Sequence, residues 1–229
     1  MIEITVPNSQ DEISLGMYQR FAKIDGDTDF KARKMLQIFC GIDDVFKVPL
    51  ADINEVSNII SKALNERQDE LIRHFSLDGL RMGFIPNLSR MTYGEFVDLE
   101  GYIGDWDLMH KAMAVLYRPV IKESSGLYAI KDYEGTEGSE AYKKMPISVV
   151  FSAIVFFCRI ARTISNHYLT ELEKETKVTN TQQGDNSLGL GVGMLRLMNL
   201  LTETLQNTKM SLNYPQQLVS LISPIEAKS

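Results

Sequence analysis

The stretch from Pro146 to Lys174 constrains the fold more than any other part of the chain. It opens on proline, a favoured first helical residue. It continues through Ile147, Val149, Val150, Phe151, Ala153, Ile154, Val155, Phe156, Phe157 and Ile160 with nothing inside to break a helix. The first three turns are apolar nearly all round, so that half must be buried on several sides. Charge enters at Arg159 and dominates by Glu171, Glu173 and Lys174, giving the later turns an ordinary mixed face. The uncharged run from Met145 to Cys158 covers about 14 residues, whereas a membrane span needs roughly 20. No membrane partner is expected. The predicted fold is mainly α, a single helical domain around this long central helix, with one or two small β-hairpins and extended arms.

At 229 residues the chain is long enough to bury a sizeable core. Its formal charge of -6 argues against sequence-blind binding to a phosphate backbone, which needs clustered Lys and Arg. No sequence-specific nucleic-acid partner is expected either. Cys40 and Cys158 both lie among aromatic and aliphatic residues and read as buried free thiols in a reducing compartment. Residues 1–7 lack a charged region followed by a long apolar run, so no signal peptide is expected, and synthesis in the cytoplasm is.

Local signals divide the chain into a helical body over residues 1–175 and a C-terminal portion over 176–229. Ile2, Ile4 and Val6 alternate with polar residues before Pro7, as a short strand or an extended arm does. Ser14 is placed to cap a helix carrying Leu15, Tyr18, Phe21 and Ala22, ended by Asp25-Gly26. Asp29 is read as the cap of the next, with Phe30, Met35, Ile38 and Phe39 as its apolar stripe and Cys40-Gly41 as its stop. Asp52 and Glu55 have capping-box spacing before Ile53, Val56, Ile59, Ile60, Ala63 and Leu64, a helix predicted to end near Leu71 or Ile72. Asp78-Gly79, flanked by alternating apolar residues from Phe75 to Ile85, is a strong hairpin signal. Thr92 and Glu95 form a second capping box. The next helix, with Leu108, Met109, Ala112, Val115 and Leu116 buried, is predicted to stop before Pro119. A short strand over 128–130 follows, then an acidic, glycine-bearing loop over 134–140. Beyond the central helix, 176–193 is polar and glycine-rich, a last helix starts at Met194, and the tail after Met210 is extended or weakly helical.

Chemistry-bearing constellations are sparse. His74, His110 and His167 are not at metal-ligand spacing with each other or with cysteine. Gly189, Gly191 and Gly193 invite a phosphate-loop reading, but no buried strand precedes them and no Lys-Ser/Thr pair follows, so a hinge before the last helix is the preferred reading. Asp98, Glu100, Asp105 and Asp107 bracket Trp106 without a clear acid-base pair. Ser148 and Ser152 read as hydroxyls bonding back to their own helix. Arg159 and Arg162 share a helix face and suit either a subunit contact or solvated surface. Tyr117-Arg118-Pro119 joins an aromatic, a guanidinium and a helix stop, and reads as a structural fork bonding carboxylates or carbonyls. No catalytic residue, metal site or cofactor is expected.

Several blocks together resemble a structural protein family of tailed bacteriophages, including phages related to crAssphage. They are Ile13-Ser14-Leu15-Gly16 with Tyr18-Gln19-Arg20-Phe21; Phe39-Cys40-Gly41-Ile42; Gly83-Phe84-Ile85-Pro86-Asn87-Leu88; Thr92-Tyr93-Gly94-Glu95-Phe96-Val97-Asp98-Leu99; Met113 to Val120; and Met145-Pro146 leading to Phe156-Phe157. The resemblance spans the first two thirds of the chain and rests on the order of the blocks. It implies a non-enzymatic subunit of the virion, in the portal-tail (connector) assembly, assembled in the host cytoplasm. The implied partners are other copies of itself in a dodecameric ring and other portal or tail proteins; a tail assembly chaperone or a packaged cargo protein is the alternative. A ring needs two dissimilar surfaces on one body. The candidate interface residues are Ile2, Ile4, Val6, Arg159, Arg162, Gly189, Gly191, Gly193 and Tyr214.

Overall fold

A computed structural model describes residues 5–160. Helices α1 (Leu15–Ala22), α2 (Thr28–Phe39) and α3 (Leu50–Leu64) are followed by strands β1 (His74–Leu77) and β2 (Leu80–Phe84). Then come α4 (Tyr93–Tyr102), α5 (Met109–Leu116), β3 (Tyr117–Ser124) and β4 (Leu127–Ile130). A 3-10 segment, Ser139–Lys144, leads into α6, helical from residue 147 to the last described residue. The domain is mainly helical but is not built on one dominant central helix. Its core is shared among all six helices and one four-stranded antiparallel sheet in the order β1-β2-β3-β4.

The sheet is the main departure from the expected separate hairpins. Asp78 and Gly79 both take left-handed backbone angles, as do Ser125 and Gly126, and each pair closes a two-residue turn. The two hairpins fuse because α5 stops at Leu116 and the chain runs straight into a strand. Tyr117, Arg118 and Pro119 pair with Phe84, Gly83 and Met82 rather than forming a bend. Pro119 is tolerated there because it is the last pair with β2, next to the irregularity at Val120/Lys122 where β4 takes over the ladder. Gly83 is required by packing: a Cβ at that position would stand 2.8 Å from the Tyr128 ring and 2.9 Å from Val120 Cγ2.

The caps follow local chemistry, with corrections. Ser14 accepts from the Met17 amide at 3.2 Å, and Thr92 and Glu95 close the full capping box. The cap of α2 is Asp27, not Asp29: its Oδ1 accepts from the Phe30 amide at 2.7 Å, and Asp29 lies in the first turn, where its charge favours the helix dipole. Asp52 and Glu55 form no box, because Pro49 starts α3 three residues earlier and its carbonyl already accepts from Asp52 and Ile53. That helix ends at Leu64, not near Ile72. Gln10 Nε2 donates to the carbonyls of Leu64 and Glu66 at 3.2 and 2.9 Å, supplying partners that a further turn would have supplied. Likewise α1 ends at Ala22, before Asp25-Gly26.

Around α6 the packing is aromatic. Tyr18 meets Trp106 and Phe151 at centroid distances of 4.8 and 5.4 Å, and Phe84 meets Tyr117 and Phe156 at 5.2 and 5.5 Å. Such edge-on pairs add about 0.5–1.5 kcal/mol each beyond area burial. The entry to α6 is fixed by a bridge between Ser14 and Pro146: the Leu15 amide donates to Met145 O and the Ile147 amide to Ile13 O, both at 2.8 Å. Ser152 Oγ donates to Val149 O at 2.8 Å, the expected back-bond, and accepts from the Ile72 amide at 3.2 Å. Ser148 Oγ instead donates to Asp11 at 2.5 Å, across the core entrance.

Candidate interaction site

The Tyr117-Arg118-Pro119 segment lies beside a buried polar cluster. Arg118 Nη2 donates to Glu95 Oε1 at 2.5 Å, both side chains being buried. Glu95 Oε2 accepts from the Thr92 amide and hydroxyl at 2.6 and 2.8 Å. Burial alone would raise the Glu95 carboxyl, but the Thr92 hydrogen bonds and the Arg118 charge outweigh it and hold its pKa below the usual value. Tyr117 Oη donates to Ile72 O at 2.8 Å. The Arg118 guanidinium also lies 5.7 Å from the Tyr133 ring centre, and Tyr133 Oη donates to Asp98 at 2.5 Å. Tyr133 thus fixes the chain to α4 just ahead of the acidic loop, most of whose residues are exposed. The cluster ties α4, β3 and the chain ahead of this loop together, a positioning role.

Other candidates disperse. Val6 is half-buried against the chain's own core and lies in no strand. Arg159 is exposed and bonds to the Asp69 carbonyl, with the Asp69 carboxylate 3.4 Å away, so it tethers α6 to the segment after α3. Ile2, Ile4, Arg162, Gly189, Gly191, Gly193 and Tyr214 lie outside the described residues, as do His167 and the whole 176–229 portion. Asp105 caps the 3-10 turn Trp106–Leu108, and Asp107 pairs with Lys23 at 2.8 Å. His74 meets the Tyr128 ring edge-on, with centroids 4.4 Å apart. His110 is buried, with Nδ1 3.3 Å from the Gln19 amide nitrogen and Nε2 3.1 Å from a Glu140 carboxylate oxygen. Cys40 and Cys158 are free and half-buried, and burial pushes the Cys158 thiol up to about 11. Among the described residues no group of three or more His, Cys, Asp or Glu could hold a metal ion, and no helix is long and apolar enough to cross a membrane.

What the surface does offer is large apolar side chains in three separate places. On α2, the 3-10 turn Val45–Lys47 and α3, Phe46 is 83 % exposed, Leu50 73 % and Phe30 36 %. The Arg33 guanidinium lies 5.6 Å from the Phe46 ring centre and 5.9 Å from that of Phe30, while Lys34 Nζ lies 5.6 Å from the Phe30 ring centre. On α4, Tyr93 and Val97 are exposed, with Gly101 one turn further along the same stripe. At the tips of the hairpins, Leu80, Ile121 and Leu127 are exposed.

The first two places were hidden by the three-four pattern itself. The apolar pattern groups Phe30 with Met35, Ile38 and Phe39, yet the buried side chains of α2 are Leu36 and Phe39 and Phe30 is on the opposite side. Its phase mismatch was the available signal. On α4, the Tyr93, Val97, Gly101 spacing of four was legible as an uncharged second stripe behind Leu99 and Ile103. No protein-family model matches the chain, and neither a curated protein nor a solved structure does.

Proposed function

We propose that the protein is a structural subunit of a tailed-phage particle, forming a ring in the portal-tail assembly and docking neighbouring tail proteins. One observation carries this reading beyond the sequence resemblance: a well-packed body exposes large apolar side chains in three groups, on α2–α3, on α4 and at the hairpin tips. Large apolar side chains left exposed together on one element are candidate protein contacts, and several dissimilar contact surfaces on one body suit a part held by neighbours on more than one side. The buried Glu95–Arg118 pair and the aromatic packing supply the stiffness such a part needs.

Native mass spectrometry of gently disassembled particles, beside the recombinant full-length chain, tests the reading. A stoichiometric, closed homo-oligomer released from particles is the expected result. Absence from particles, together with a soluble monomer that binds another tail protein, would identify an assembly chaperone and overturn the ring.

A further inference from the structure

We infer that His110 is an acid-operated latch. Neutral, it bonds α1 to the corner formed by α5 and the 3-10 turn Trp106–Leu108; protonated, it gives up α1 for Glu140 on the segment that leads into α6. The inference is independent of the ring-subunit reading.

Neighbouring groups fix the tautomer. The buried side chain of Gln19 has its amide nitrogen 2.6 Å from Trp106 O and 3.4 Å from Asp107 O. Both are carbonyl oxygens, which only accept, so the nitrogen of the amide must face them. That same nitrogen lies 3.3 Å from His110 Nδ1. Nδ1 therefore faces a donor and accepts, which leaves the ring proton on Nε2. Nε2 lies 3.1 Å from a Glu140 carboxylate oxygen but without the alignment of a hydrogen bond. A second proton has one place to go, Nδ1, where it would stand donor against donor with Gln19.

The surroundings decide where an imidazolium would move. His110 is only 4 % exposed, so a charge there also loses hydration. The charged groups facing it are Glu140 and Lys143 from the Ser139–Lys144 segment and Lys111 from its own helix. Glu140 is paired with Lys143 at 2.7 Å and is 72 % exposed, so it offers a partner on the solvent side. The Asp107 carboxylate is paired with Lys23 of α1 at 2.8 Å, and α1 presents the neutral Gln19. Among the described residues no charged group of α4 shifts His110. Relief therefore lies outward, away from Gln19 and toward Glu140. The corner that loses its tie is the one where Tyr18 of α1 packs on Trp106, ring centroids 4.8 Å apart.

Hydrogen exchange of the full-length chain, corrected for chemical exchange, tests the latch between about pH 7.5 and about pH 5. Amides of α1 and of the Trp106–Leu108 turn should open several-fold more often as pH falls below about 6.5, while those of β1 and β2 keep their protection. His110→Gln supplies a neutral acceptor and donor at the same place and should abolish the difference. Gln19→Met removes the opposing donor, so the acid effect should begin at higher pH. Long-range nitrogen–proton spectra of histidine-labelled protein should show the His110 proton on Nε2 at neutral pH. Protection in α1 that ignores pH, a His110→Gln variant that keeps the change, a Gln19→Met variant whose midpoint does not rise, or a proton on Nδ1 would each overturn the latch. So would a loss of protection spread evenly over sheet and helices, since that is the global destabilisation any buried histidine can produce.

Discussion

Arg118 is buried with a single carboxylate partner, and its worth to the fold depends on that partner staying ionised. A carboxylate whose folded pKa is depressed stabilises the fold above its unfolded pKa, and the contribution is lost as pH falls through the folded value. Glu95 is such a group, so the pair weakens only under distinctly acidic conditions. Removing one member at neutral pH leaves the other charged and buried, which typically costs about 3–5 kcal/mol. Arg118→Met should therefore lower the urea midpoint sharply, and adding Glu95→Leu to it should recover much of the loss. A double variant as unstable as the sum of the two singles would show that the pair is not coupled. His110 acts at milder pH. Burial is the chief reason its pKa is lowered; Lys143 and Lys111 add to that, while Glu140 and a bond to the Asp107 backbone oppose it. A lowered folded pKa means that stability is complete above the unfolded value of about 6.5 and falls below it. Wild type should lose stability as pH falls below about 6.5, and His110→Gln should flatten that slope in urea titrations.

At the scale of elements, Gly83 shows how main-chain pairing and side-chain cover combine. It pairs with His74 on one side and Arg118 on the other, and Tyr128 from β4 reaches across it to donate to Phe84 O at 2.6 Å. Gly83→Ala would push Tyr128, Val120 and Ile130 aside and should cost about 1–3 kcal/mol by overpacking. Adding Tyr128→Ser removes the nearest clash, so the second substitution should cost less in the Gly83→Ala background than in wild type. Strict additivity in thermal melts would place the glycine's role elsewhere. Sequence reading reached the first hairpin turn and two of the four caps because Asp78-Gly79, Ser14 and Thr92 act on atoms within three residues of themselves. It did not reach the joining of the two hairpins, since that bond is between main chains of segments separated by α4 and α5. Nor did it foresee Gln10 ending α3, a contact made across 54 residues. Asp52 and Glu55 misled because capping-box spacing carries no information about a proline that has already begun the helix.

For the molecule as a whole, burial of the apolar run from Ile147 to Phe157 was legible, because no surface helix carries so wide an apolar face. What covers it was not, since Phe84, Tyr18 and Trp106 come from three distant elements. The surface left over is what bears on assembly. If copies join within one ring through other surfaces, the hairpin tips are available for a different protein. The register Met82↔Pro119 carries Leu80 toward Ile121, and Arg81 pairs with Glu123 at 3.1 Å, so the apolar tips stand on a braced part of the sheet. Leu127 opens the outer strand beside them, 78 % exposed. Replacing Leu80 and Leu127 together by lysine adds charge where there is space for it, so the melting temperature should change little. The same double variant should keep the self-association of wild type in sedimentation and lose at least tenfold in binding to the adjacent tail protein isolated from particles. A variant that loses self-association instead would assign the tips to the ring contact. Retention of both would leave the tips as exposed apolar surface without a partner in the particle. The two surface sets are thus separable by substitution, which a chain built around one contact would not allow.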